Sequence, residues 1–441
     1  METMLPMKGR SGVRSVFLFW VLLMASFFLL PSFASAYTKA LVQFPPLGKD
    51  YAPETLSKDL YLYSCTDSGC TSKEQDKEYG HITNVEKWSK SVGGTGTQPA
   101  AWVILTLTDN EPSYFEFWQE VSEGWQSCTL GITAQGGLDD TTPNACVGVV
   151  AVLDDKPNSI PVFTMGTAMF HGMTTQTTAP VHSEVNTLPD AQVTIINNTS
   201  AQTVCIHEND FADTDCTAGG HPVQKGSSLV YDSDSLKNGA NSDAAQIVAY
   251  KWDEQTDWAG TGKDGQVYAT KPEWTIFPQH TNHTVGPSVF DISLVDGFNV
   301  GVTLTADRDM VCAISYYEGG PNHFVLYKKD ETMATFPKTK ENTLDRLCPP
   351  EQQVSGGLGC YSACSYANLT DKDIDQMCCI GDYNTAATCT EPPKTDYVKD
   401  VEADSTGVYS YGYSDYRGTF TCEGSPSITY TLKDPYNLVP M

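Results

Sequence analysis

Fourteen cysteines in one chain constrain the fold more than any other feature, because crosslinks between them would confine the loops and limit the reachable architectures. Whether they crosslink depends on the compartment. Lys8, Arg10 and Arg14 precede an apolar run from Val16 to Leu30, and Ala34-Ser35-Ala36 follows. That is the layout of an export signal over residues 1–36, with cleavage expected after Ala36, and the run is short for a membrane span. Thiols pair in oxidising compartments, and every cysteine follows Ala36, so a secreted (extracellular or periplasmic) protein with paired cysteines is expected. Zinc is disfavoured: Cys360-x3-Cys364, the adjacent Cys378 and Cys379, and Cys389 do not form matched Cys-x2-Cys knuckles, and no His lies near them. No metal or other cofactor is expected.

The cysteines are unevenly placed. Cys65, Cys70, Cys128 and Cys146 lie before residue 172 and the other ten beyond residue 190, which points to two separately stapled units. Over 37–172 the sequence reads as short β segments. Ala101–Thr108 and Val147–Leu153 are rich in β-branched residues and end in Asp-Asn or Asp-Asp-Lys-Pro turns, so a β-sandwich-like domain of unknown family is expected. Cys65 with Cys70, and Cys128 with Cys146, can close small loops within it. Met165, Met169, His171 and Met173 have a soft-metal look, but a methionine-lined core edge is the commoner arrangement. Residues 173–190 are Thr-rich with Pro180 and Pro189 and read as a linker. Beyond it Ala191–Cys205 alternates, turns and alternates again, and further β segments surround Gln246–Trp252 and Ser288–Thr305. Thr370–Cys378 reads as a short helix or turn with Thr370 as its cap. The chain as a whole is expected to be all-β.

Charge narrows the partners. Lys and Arg total 27 against 54 Asp and Glu, and loss of residues 1–36 takes the net charge from −27 to −29 by removing Glu2 and three cations. A phosphate-tracking surface needs Lys and Arg, so nucleic acid is set aside, as is anionic membrane. Neutral glycans, cationic ligands and other proteins remain.

Phe290-Asp-Ile-Ser-Leu-Val-Asp-Gly-Phe-Asn-Val300 closely resembles the central motif of thaumatin-like proteins. Cys348-Pro349, Gly359-Cys-Tyr-Ser-Ala-Cys364, Cys378-Cys379, Thr388-Cys389, Thr395-Asp-Tyr397, Tyr409-Ser-Tyr411 and Gly418-Thr-Phe-Thr-Cys422 follow in the family's order. The resemblance covers about 191–435. It implies a thaumatin-like β-sandwich with a disulfide-rich lobe, and bridges Cys348–Cys360, Cys364–Cys378, Cys379–Cys389 and Cys312–Cys422, leaving Cys205 to Cys216. Where the family ties its first hairpin to its last strand, this chain has Asn197-Asn198 and Thr431-Leu432.

The resemblance also implies an acidic cleft containing Asp291, Asp296 and Asp396, associated in the family with β-1,3-glucan binding and weak endo-glucanase activity. Phe298, Tyr397 and Tyr411 are candidate rings for stacking on sugar, with core packing as the alternative. Asp291 can equally be a turn carboxylate that holds the Asp-Gly-Phe-Asn loop, and Asp396 a simple turn residue. The family's cleft glutamate is not matched: Phe277-Pro278-Gln279-His280 stands there, and Glu273 is displaced by several residues. Its cleft arginine falls near Tyr250, with Lys251 adjacent. Glycoside hydrolysis needs two differently tuned carboxyls, so these losses favour binding over catalysis. The expected function is a secreted monomer that binds a neutral polysaccharide, plausibly β-1,3-glucan, in a defence or cell-wall role. An endo-β-1,3-glucanase and a protein-binding or surface-structural module are the alternatives. Asp371, Asp373 and Asp375 alternate like a calcium loop, but Gln376 and Asp382 stand where such a loop needs Gly and Glu. Asn197, Asn198, Asn282 and Asn368 begin Asn-x-Ser/Thr sequons.

Overall fold

A computed structural model describes residues 37–44, 60–75, 81–82, 101–153, 158–166, 169–179, 192–208, 220–231, 245–252, 268–275, 288–314, 323–339, 343–357, 359–422 and 427–434. Residues 1–36, expected to be an export signal, lie outside them with Cys216, Gln279 and Asn282, as does the connection from 180 to 191. Among the described residues no helix is long and apolar enough to cross a membrane.

The N-terminal region contains two sheets. One runs β5 (Ala101–Thr106), β1 (Lys39–Phe44), β9 (Val162–Thr164), β8 (Val150–Val152); the other runs β3 (Lys73–Gln75), β2 (Leu60–Cys65), β6 (Ser113–Val121), β7 (Gly124–Ile132), with β4 (His81–Ile82) also on β2. Strand period puts alternate side chains on opposite faces. Leu60 and Leu62 of β2, Phe115 and Phe117 of β6, and Leu41 of β1 therefore share one core with Phe163, Met165 and Met169. The methionines are core residues. Tyr61, Tyr63 and Trp118, one position out of phase, form a separate aromatic cluster. There Lys73 pairs with Glu116 and lies 4.4 Å from the Trp118 ring centroid. Gln176, expected in the linker, exchanges two backbone hydrogen bonds of 2.7 Å with Trp125, and Met173 packs on the core. The ordered edge of this region thus runs past residue 172.

The C-terminal region is a sandwich of a five-stranded and an eight-stranded sheet. The first has the order β13 (Ser228–Tyr231), β10 (Gln192–Asn197), β24 (Ser427–Lys433), β18 (Gly301–Ala306), β21 (Thr332–Phe336). The second runs β12 (Gly220–Gln224), β11 (Thr203–Glu208), β14 (Ala245–Trp252), β15 (Lys271–Thr275), β16 (Ser288–Ser293), β23 (Phe420–Cys422), β19 (Met310–Ile314), β20 (His323–Tyr327). Alternation is plain in β10 and β24, whose every second residue is buried. Val193, Ile195, Ile428, Tyr430 and Leu432 face Trp274, Phe290, Ile292 and Phe420 across this core.

The hairpin of β19 and β20 is buried on both faces. Met310, Cys312, Val325 and Tyr327 join the sandwich core, whereas Val311, Ala313, Phe324 and Leu326 belong to the N-terminal core. Leu326 also donates its backbone N–H to Asn158 at 3.0 Å. Near-continuous apolar runs such as Met-Val-Cys-Ala-Ile and Phe-Val-Leu-Tyr are what two-sided burial selects.

Six bridges join Cys65 to Cys70, Cys128 to Cys146, Cys312 to Cys422, Cys348 to Cys360, Cys364 to Cys378 and Cys379 to Cys389. Cys205 is also disulfide-bonded. The last three of the six bridges staple a lobe of short segments that includes α1 (Ala363–Thr370) and α2 (Asp396–Ala403). Ser362 caps α1 by accepting from the Ser365 N–H at 3.0 Å, and Thr395 caps α2 by accepting from Val398. Thr370, expected to open a helix, instead closes α1; its hydroxyl donates back to the Tyr366 carbonyl at 2.9 Å. Asp371 then leaves the helix at φ 51°.

Candidate functional site

Strands β15 and β16 are antiparallel with Glu273 opposite Asp291 and Lys271 opposite Ser293. Because Trp274, Phe290 and Ile292 point into the core, Lys271, Glu273 and Asp291 are on the other face of the sheet. Directly opposed side chains have Cβ atoms about 4.5–5.5 Å apart, so Glu273 and Asp291 meet without any special loop. Below them Tyr430 crosses the sandwich. Its hydroxyl lies 2.9 Å from the Glu273 carbonyl and 3.1 Å from the Asp291 carbonyl, donating to both.

Asp296 reaches the same place from the turn after β16. The next residue, Gly297, has φ +115°, and a Cβ there would lie 2.1 Å from the Cys360 carbonyl oxygen. Only glycine fits this close approach of sandwich and lobe. The lobe is stitched on by two short strands, β17 (Gly297–Phe298) and β22 (Cys360–Tyr361), which pair Gly297 with Tyr361 and Phe298 with Cys360. Ser365 in α1 adds a hydrogen bond of 2.9 Å to the Asp296 carbonyl. Thr270 fixes the start of β15: its N–H donates to the Asn299 side chain at 3.1 Å and its hydroxyl to the Val300 carbonyl at 2.6 Å. Lys271, so placed, makes an ion pair with Asp296.

The outcome is one lysine among three carboxyls at the join of sandwich and lobe. Lys271 is 7% exposed, whereas the Asp296 side chain is 29% exposed and forms the open side. Burial pushes the Glu273 carboxyl above its ordinary pKa, and the Asp296 charge pushes the same way; Lys271 and a hydrogen bond to Asp291 act against them. Among the described residues no group of three or more His, Cys, Asp or Glu is arranged to hold a metal ion.

Several expected site residues are elsewhere. Asp291 and Asp296 flank Glu273, but Asp396 stands in the first turn of α2, 78% exposed at its side chain, and pairs with Lys399 at 3.1 Å. An acid there suits the helix N-terminus. Phe298 and Tyr397 offer no face to a sugar. Both are fully buried, their rings stack at 6.4 Å, and the Tyr397 hydroxyl donates to the Leu294 carbonyl at 2.5 Å. Tyr411 packs against the same core. Glu273, set aside on spacing to the motif, is the acid the sheet delivers. Lys271 supplies a cation that the sequence comparison sought near Tyr250.

The C-terminal region is similar to known proteins. Residues 254–433 match the sequence model of the Thaumatin family. Thaumatin-like protein 1 of Castanea sativa is 33% identical over 151 residues, covering 33% of this chain and 50% of that protein. A protein of Prunus avium named glucan endo-1,3-beta-glucosidase is 33% identical over 147 residues, covering 33% of this chain and 49% of that protein. The chain thus spans about half the length of the curated relatives it matches. From the motif, the bridges and these matches, the C-terminal region is a thaumatin-like domain.

Proposed function

We propose that the protein is exported with cleavage after Ala36, and that its thaumatin-like domain holds a neutral polysaccharide at the cluster of Lys271, Glu273, Asp291 and Asp296. The observation that supports this most is the excess of carboxyl groups over cations on a half-open face. A structural ion pair needs one acid per lysine, and the extra carboxyls are oriented acceptors for sugar hydroxyls, with Lys271 as donor. β-1,3-Glucan is the first candidate because a relative is named for acting on it. With Phe298 and Tyr397 in the core, the half-buried Tyr361, whose ring meets Tyr268 edge-on at 5.4 Å, is our candidate ring for stacking.

Retention on insoluble β-1,3-glucan tests the reading. The wild type is expected to be retained and the Asp291→Asn/Asp296→Asn double variant to lose at least tenfold in affinity; wild type found entirely in the unbound fraction defeats the proposal.

Hydrolysis is the second reading, favoured by the raised pKa of Glu273, which is the property a general acid requires. Against it, hydrogen-bonded carboxyls are closer than the roughly 5–5.5 Å of a retaining pair, so Glu273 would have to work with Asp296. Reducing-sugar release that disappears in Glu273→Gln would support it.

A further inference from the structure

Two sequons overlap at the end of β10, Asn197-Asn198-Thr199 and Asn198-Thr199-Ser200, and the fold treats their asparagines oppositely. Asn197 is 0% exposed. Its amide nitrogen donates to the Val223 carbonyl at 2.9 Å, and its side-chain oxygen accepts from the Thr199 N–H at 3.0 Å and the Thr199 hydroxyl at 2.7 Å. A sugar on that nitrogen would have to occupy space that solvent itself does not reach. Asn198, the next residue, faces the other side of the strand end and is exposed. Its backbone N–H is tied to the Leu432 carbonyl at 2.9 Å, and Ser200 is held by Asp434, so the loop is ordered while the side chain is left outside. A third sequon, Asn368-Leu369-Thr370, lies in the last turn of α1; its asparagine is exposed, with Nδ2 only 3.7 Å and 3.6 Å from the Cys364 and Cys378 sulfurs, long weak contacts that a glycan can replace.

We infer that Asn198 and Asn368 are N-glycan acceptors of the exported chain and that Asn197 is not. The donor class is an oligosaccharide on a polyprenyl pyrophosphate. The asparagine Nδ2 attacks the anomeric carbon of the first sugar, and a C–N bond forms. The bond from that carbon to the pyrophosphate oxygen breaks, the pyrophosphate leaves with the electron pair, and one amide proton passes to a base of the transferring enzyme. Transfer acts on the unfolded chain, where Asn197 and Asn198 are equivalent in reach. Folding then discriminates, because a chain modified at Asn197 cannot close β10 onto its neighbours. A glycan on Asn368 has a further consequence. Three residues earlier on the same helix, Ser365 holds the Asp296 carbonyl, and three residues rise about 4.5 Å. That glycan therefore leaves α1 within one turn of the residue that holds the Asp296 backbone.

The inference rests on the export reading, and the experiment separates the two. The full chain is expressed in a eukaryotic secretory host with its own leader and, in parallel, with a foreign leader replacing residues 1–36. Secreted protein is digested and treated with a peptide N-glycosidase, which leaves Asp where a glycan was carried, and Asn197, Asn198 and Asn368 are read by mass spectrometry. Conversion at 198 and 368 with Asn197 intact is expected, together with a one-glycan mass loss at unchanged yield for each of Asn198→Gln and Asn368→Gln. Secretion by the foreign leader alone breaks the export reading but leaves the site assignment to be read from that sample. Conversion at Asn197, or an unconverted Asn198 or Asn368 in secreted protein, overturns the assignment at that position.

Discussion

The two regions each carry a lysine on the outer face of a sheet, and the company it keeps differs. In the N-terminal region Lys73 meets one carboxylate, Glu116, and the rings of Tyr63 and Trp118. Charge is matched one to one, and the two rings add cation–π contacts to a partly exposed ammonium. In the thaumatin-like domain Lys271 meets Asp296 and, behind it, Glu273 and Asp291. Like charges gathered beyond what one cation neutralises cost stability, and folds keep such arrangements where a ligand uses them. The first lysine belongs to the architecture; the second, on the function proposed above, belongs to a site.

That contrast breaks most easily at Lys271. Lys271→Met leaves three acids without their cation and is expected to destabilise by about 3–5 kcal/mol in urea denaturation; an effect under about 1 kcal/mol, the range of exposed pairs, would erase the distinction. Phe324→Ala, in the hairpin shared by both cores, is expected to cost about 3 kcal/mol. Amide exchange should then quicken in β1 and β6 as well as in β19, because the side chain packs into the N-terminal core while its strand belongs to the other sheet. Lys73→Met should cost less, about 1–2 kcal/mol, through a partly exposed ion pair and two ring contacts.

The smallest effect is one of sign against pH. In the N-terminal region the Thr71 hydroxyl holds Asp67 below its ordinary pKa, and the Thr141 hydroxyl does the same for Asp139. Their contributions are present above the ordinary carboxylate pKa and fade as pH falls through the lowered native values. Glu273 is raised by burial, so its contribution is full below its ordinary pKa and fades as pH rises through the native value. Thermal melts across pH 3 to about 8 should show Glu273→Gln removing a loss of stability on the alkaline side. Asp67→Asn should soften the loss on the acid side.

Much of the sandwich can be read before folding. The alternation in β10 and β24 follows from burying one face of a sheet, and Phe290–Val300 marks where sandwich meets lobe. The rings misled because a motif fixes chain path, not exposure: Phe298 follows a glycine that presses against Cys360, and any side chain at that join is driven inward. Glu273 was hidden for another reason. It lies eighteen positions before Asp291, and counting along the chain cannot give the register across an intervening connection. The pairing of β15 with β16 gives it at once. The apolar runs of β19 and β20 were visible, but a run does not name the neighbour that covers its second face.

That second face bears on how the chain can be divided. Val311, Ala313, Phe324 and Leu326 sit in the domain that matches the family, yet their covering is supplied from residues before 171. A fragment begun at 191 would keep every recognisable motif and still present an oily stripe to water. The thaumatin-like part is not a cassette that can be lifted out and moved, and its ancestry and engineering both have to account for the wall it shares.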